Sequence, residues 1–150
     1  MLRKRTAYFK AVDFARSARR ENKPCAFCSR QDIGSIIEVG KHVFVSENII
    51  PYDVFEGGAV EKHYMLIPKE HRESMTEFTE AERLEYLEVL ARYEAEGFNS
   101  YTRALSSKTR SVAHHHTHLL YTPGGKVRAL LFLSKPYILW FQKAKATKKA

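Results

Sequence analysis

The chain has 150 residues, 44% of them hydrophobic and 28% charged, which suits one globular domain with arms and is too little for two of full size. No apolar run approaches the roughly 18 residues of a membrane span, Arg3, Lys4, Arg5 and Lys10 are not followed by the apolar stretch of an export signal, and two cysteines make no disulfide scaffold, so a soluble cytoplasmic protein is expected. The formal charge of +8 is uneven: residues 1–23 carry eight Lys/Arg against Asp13 and Glu21, and residues 126–150 carry seven and no acid, so the middle is net acidic.

Residues 5–20 place Ala7, Tyr8, Ala11, Val12, Phe14 and Ala15 at spacings of three and four, which predicts an amphipathic helix with a basic outer face, broken at Lys23-Pro24. Residues 36–46 read as two short strands around Gly40-Lys41. Residues 48–61, with Pro51 and Gly57-Gly58, read as a loop, and His63–Ile67 as a strand stopped by Pro68. Thr79-Glu80-Ala81-Glu82 is a capping-box signature. The helix it opens carries Leu84, Tyr86, Leu87, Val89, Leu90 and Tyr93 as its expected apolar side and stops near Gly97. A strand is predicted at 98–104, a polar loop at 105–110 and a strand at 112–121. A turn at Thr122-Pro-Gly-Gly125 follows, then two apolar strands and a Lys/Ala-rich tail from Gln142. Antiparallel strands with two helices give an α+β domain, divided as a basic N-terminal helical extension at 1–23, a domain at 24–141 and a basic tail at 142–150.

Four of the seven histidines lie within Ala113-His114-His115-His116-Thr117-His118-Leu119-Leu120. On an extended segment His114, His116 and His118 share one face, while His115 and Thr117 point to the other. Three imidazoles on one face are costly to protonate together. Such a row is either a solvated polar face or a site.

Cys25-Ala26-Phe27-Cys28 is a CxxC unit. A redox pair would follow a strand, whereas this one follows a helix and Pro24. Half of a structural zinc site fits the context better, and two free buried thiols also remain open. With no further cysteine, other ligands would be His, Asp or Glu; His71 and His114 are candidates.

Taken together, these motifs resemble the histidine-triad (HIT) family of nucleotide hydrolases and transferases, in its zinc-containing bacterial branch. The carrying residues are Cys25-Ala-Phe-Cys28, His63-Tyr-Met-Leu-Ile-Pro-Lys-Glu-His71 and His114-His-His116-Thr-His118-Leu-Leu120, in family order over about two thirds of the chain. The resemblance implies a HIT-like fold, with an antiparallel sheet of about five strands, a main helix and here an extra N-terminal helix. It implies His116 as the nucleophile on an α-phosphate, His118 as a hydrogen-bond donor to the phosphate and His63 as support from a neighbouring strand. Asn99 and Ser111 fall where the family contacts nucleotide. It also implies a structural zinc on Cys25, Cys28, His71 and His114.

Three features depart from the pattern. Thr109-Arg110 stands where the family has Gly-Gln, so Arg110 would serve as the cation near phosphate. His115 and Thr117 occupy usually apolar positions, which suggests a wet outer face. The loop at 51–62 is long where the purine pocket would begin. The implied function is hydrolysis of a nucleoside phosphoramidate or dinucleoside polyphosphate through a nucleotidyl-histidine, with a purine (AMP-containing) substrate, release of a nucleoside monophosphate, and a homodimer. The basic ends raise the alternative of aprataxin-like removal of adenylate from nucleic-acid ends. The lost Gly-Gln raises that of a non-catalytic nucleotide-binding module.

Overall fold

A computed structural model describes residues 25–29 and 33–124, together with the strands at 130–134 and 137–141. The helix expected at 5–20, the turn beyond Gly124 and the tail from 142 lie outside the described residues.

The strands β1 (Ile36–Val39), β2 (Val43–Glu47), β5 (Lys62–Pro68), β6 (Phe98–Thr102) and β7 (Thr117–Tyr121) form one antiparallel sheet in the order β1-β2-β5-β7-β6. This is the expected five-stranded α+β sheet. Alternation gives it two apolar faces. One presents Val43, Val45, Leu66, Phe98 and Leu119 to the helix α2 (Glu80–Ala95), which buries Tyr86, Val89 and Tyr93 against them, with Phe78 from the preceding turn. Burial of each such side chain stabilises by roughly 1.5–3 kcal/mol. The opposite face carries Phe44, Met65 and Ile67, covered by Phe27 of the short helix α1 (Ala26–Ser29), and Leu120, covered by Tyr52 and Phe55. His63, His114, His116 and His118 lie on this second face.

The start of α2 follows its sequence signature. Thr79 Oγ1 accepts from the Glu82 amide at 3.2 Å, and the Glu82 carboxylate accepts from the Thr79 amide at 2.7 Å. Burial would raise the Glu82 carboxyl, but the Thr79 amide and Arg72 hold it below the usual range. The helix stops at Gly97, whose φ of +88° only glycine adopts without strain. Replacing Thr79 by Ala should cost about 1 kcal/mol, seen as a fall in Tm of about 3 °C in thermal denaturation.

Three expectations are corrected. The apolar side of α2 is narrower than its leucines suggested: Leu84 and Leu87 are 61% and 48% exposed, and only Leu90 packs partly on the core. The segment at 48–61 is not all loop. Strands β3 (Val54–Phe55) and β4 (Gly58–Ala59) pair across Glu56-Gly57, both at positive φ, as a tight hairpin requires. The strand expected from residue 112 begins only at Thr117, so His114 and His116 lie in the segment leading into it.

Strands β8 (Leu130–Ser134) and β9 (Tyr137–Phe141) pair as a separate antiparallel hairpin. Among the described residues no helix is long and apolar enough to cross a membrane.

Candidate active site and metal centre

The loop from 103 to 116 enters β7, which lies between β5 and the edge strand β6. Its end is pinned by the His115 amide, which donates to the Arg72 carbonyl. Arg110 pins it again: its guanidinium donates to the carbonyls of Glu73, Val112 and Ala113. The expectation that Arg110 offers its charge to a phosphate is therefore replaced by a structural role, because these donors are spent on backbone in a buried position. Ser111 sits half-buried in the same loop, beside Val112, which packs with Phe27.

Alternation holds through the histidine run although only its end is strand. His114, His116 and His118 are buried on the face covered by Phe27, whose ring meets His114 and His116 edge-on at centroid distances of 5.7 and 5.1 Å. His115 and Thr117 point under α2. The wet outer face expected for them is corrected: both are buried, at 4% and 2% exposure. The His115 ring packs on Phe78 and Tyr86, and Tyr86 Oη donates to Thr117 Oγ1 at 2.7 Å.

Hydrogen bonds to backbone fix the tautomers. His116 Nδ1–H donates to the His114 carbonyl at 2.8 Å, which leaves the lone pair on Nε2. Burial pushes His116 down to about 4, so the ring is neutral at pH 7. The Tyr52 amide donates to His63 Nδ1 at 2.9 Å, so the His63 proton lies on Nε2. That Nε2–H donates to His118 Nδ1 at 2.9 Å, which in turn puts the His118 proton on its Nε2. His116 and His118 stand edge to face with centroids 5.1 Å apart. A nucleophilic lone pair and a donor N–H thus lie side by side.

His114 turns the other way. Its Nε2–H donates to the Pro68 carbonyl at 2.9 Å, so Nδ1 is bare. That nitrogen lies 3.4 Å from Cys25 Sγ and 3.5 Å from Cys28 Sγ, and His71 Nδ1 lies 3.3 Å from Cys28 Sγ. The four ligand atoms all lie within 4.8 Å of one another and could hold a metal ion. Glu73 approaches the outer nitrogen of His71 at 3.9 Å, in the manner of a carboxylate backing a histidine ligand. Without a cation, burial and then Cys25 push the Cys28 thiol up to about 11.

Asn99 lies on the triad's face of β6, but its Nδ2 donates to Thr122 Oγ1 at 3.0 Å, at the end of the strand away from His116. The structure thus brings together His63, His116 and His118, and separately Cys25, Cys28, His71 and His114.

It adds four residues the sequence reading did not single out. Tyr52 stacks on His63 at 4.6 Å and leans on His118 at 5.5 Å, and Tyr101 stacks on His118 at 6.0 Å. Asn48 lies with Nδ2 3.1 Å from His63 Nε2 while its Oδ1 accepts from the Ile50 amide. Arg103 donates from Nη2 to Tyr52 Oη at 2.7 Å. The alternation Asn99, Tyr101, Arg103 was the available signal for two of them.

No family model matches the chain, and no curated protein matches it. Solved structures do. A member of the HIT family from Bacillus subtilis superposes with a TM-score of 0.51 at 25% identity, over 67% of this chain and 74% of that one. A HIT family hydrolase from Clostridium thermocellum gives 0.50 at 22% identity, over 66% of this chain and 90% of that one. A histidine triad nucleotide-binding protein from Candida albicans gives 0.52 at 16% identity, over 74% of this chain and 84% of that one.

Proposed function

We propose that this chain, a histidine-triad family protein by its fold and its triad, hydrolyses a nucleotide at the α-phosphate through a nucleotidyl-histidine. The observation that carries the reading is the single-tautomer His116, neutral and with its Nε2 lone pair beside the N–H of His118. In the first step a bond forms between His116 Nε2 and phosphorus as the bond to the leaving group breaks. The leaving group keeps the electron pair and takes up a proton. Donation from Nδ1 to the His114 carbonyl steadies the positive charge that develops on the ring. His118 Nε2–H donates to the phosphate as charge develops on its oxygens. Water then attacks phosphorus, the nitrogen–phosphorus bond breaks, and a nucleoside monophosphate leaves.

In this reading Ser111 contributes a donor at the loop and Asn99 contacts the nucleotide from its end of β6. Because its chemistry centres on AMP, the test is incubation with adenosine 5′-phosphoramidate and with a diadenosine polyphosphate, followed chromatographically. Release of AMP from at least one is expected; no AMP from either would overturn the proposal.

The metal we assign to the second cluster is zinc. A tetrahedral zinc with ordinary bond lengths separates sulfur and nitrogen ligands by about 3.6 Å. The 3.3–3.5 Å separations of Cys25, Cys28, His71 and His114 agree with this. With four protein ligands it would have no open position, and its contribution would be to tie α1 and the His71 segment to the root of the triad. The exposed Leu84 and Leu87 of α2 fit the homodimer that the family resemblance implies.

A further inference from the structure

β6 and β7 pair in a constant register, from Phe98 opposite Tyr121 to Thr102 opposite Thr117. Arg103 and His116 are the residues immediately beyond that last pair. Parity places Arg103 on the face shared by Tyr101 and His118, which is the face of the nucleophile.

The guanidinium is held there by two aromatic rings and a hydroxyl. Its carbon lies 5.6 Å from the Tyr101 ring centroid and 6.0 Å from that of Tyr52, the two rings that wall His63 and His118. Nη2 donates to Tyr52 Oη. Nε is buried with no hydrogen-bond partner among the described residues. No carboxylate among them lies within ion-pair distance of Arg103, whereas Arg72 and Arg92 are paired with Glu82 and Glu38. A cation buttressed by two aromatic faces, with an idle buried donor and on the nucleophile's face of the sheet, is arranged for an anion that arrives with the substrate.

We propose that Arg103 binds the nonbridging oxygens of the reacting phosphate and is a catalytic residue of this site. The role that the sequence suggested for Arg110 is thereby carried from the opposite strand. The inference rests on the hydrolase reading for its substrate class, but its test separates the two.

The full chain with its metal, and the variants Arg103→Gln and Arg103→Lys, are titrated with AMP and with adenosine by calorimetry, beside turnover of adenosine 5′-phosphoramidate. Arg103→Gln should weaken AMP at least about tenfold and leave adenosine unchanged, with kcat lower by about 100-fold. Arg103→Lys, which keeps the charge but not the fork, should fall between, and it secures the comparison if Arg103→Gln folds poorly. AMP and adenosine weakened alike, or AMP binding untouched by both variants, would overturn the assignment, as would a wild-type chain that binds no AMP. Arg103-dependent AMP binding in a chain that releases no AMP from either substrate would uphold the phosphate contact and defeat the hydrolase reading instead.

Discussion

Replacing His116 by Ala is expected to abolish AMP release, with a loss of about 10⁴-fold or more, as when a nucleophile is removed from other covalent catalysts. The reason is that no neighbouring imidazole can stand in. His118 directs Nδ1 to His63 and carries its proton on Nε2. His114 spends Nε2–H on the Pro68 carbonyl and aims Nδ1 at two sulfurs. Of these three imidazoles on the triad's face, His116 is the one that offers an uncommitted lone pair, and His115 points to the opposite face. The variant should still fold, because the lost ring touches Phe27 at one edge and leaves a cavity costing roughly 2 kcal/mol. A melting curve and the turnover assay together decide the matter: undiminished turnover in a folded His116→Ala protein would sink the covalent mechanism.

The second large effect should come from the metal centre, and it should have the opposite signature. Replacing Cys25 by Ala, or stripping the metal with a chelator, should lower Tm by more than about 10 °C, since metal binding free energy is folding free energy at such a site. Activity should fall with stability rather than ahead of it. The physical link is α1: the cysteines flank Phe27, and Phe27 is the wedge that covers His114 and His116. Elemental analysis should find one zinc per chain. A protein without bound metal, or one whose Tm ignores the chelator, would contradict the assignment.

Much of this site was legible because its information is local. The spacing of His114, His116 and His118 selects one face whether or not the segment is regular strand, and their burial on one face follows. The capping box at Thr79 and the Gly97 stop are also local patterns. What stayed hidden depends on register and on packing partners. Nothing near Arg103 in sequence announces His116; only the pairing of β6 with β7 brings the ends of those two strands together. Tyr52 and Asn48 come from a loop whose path no periodicity describes. Arg110 misled because a cation near the triad in sequence reads as a ligand for phosphate, while in space its guanidinium closes a ring of backbone carbonyls. Leu84 and Leu87 misled because helical spacing groups leucines without saying which arc meets the sheet. His115 and Thr117 were read as wet because they are polar, but Tyr86 and Phe78 give them a buried place under the helix.

One anchor in this molecule cannot be deleted by any codon change. The orientation of His116 is set by the peptide oxygen of residue 114, which every amino acid supplies, while the side chain of that same residue looks toward sulfur. Inheritance can therefore erase the ion-facing imidazole without touching the nucleophile's tautomer. The aim of that ring is vulnerable only to changes that reroute the chain itself.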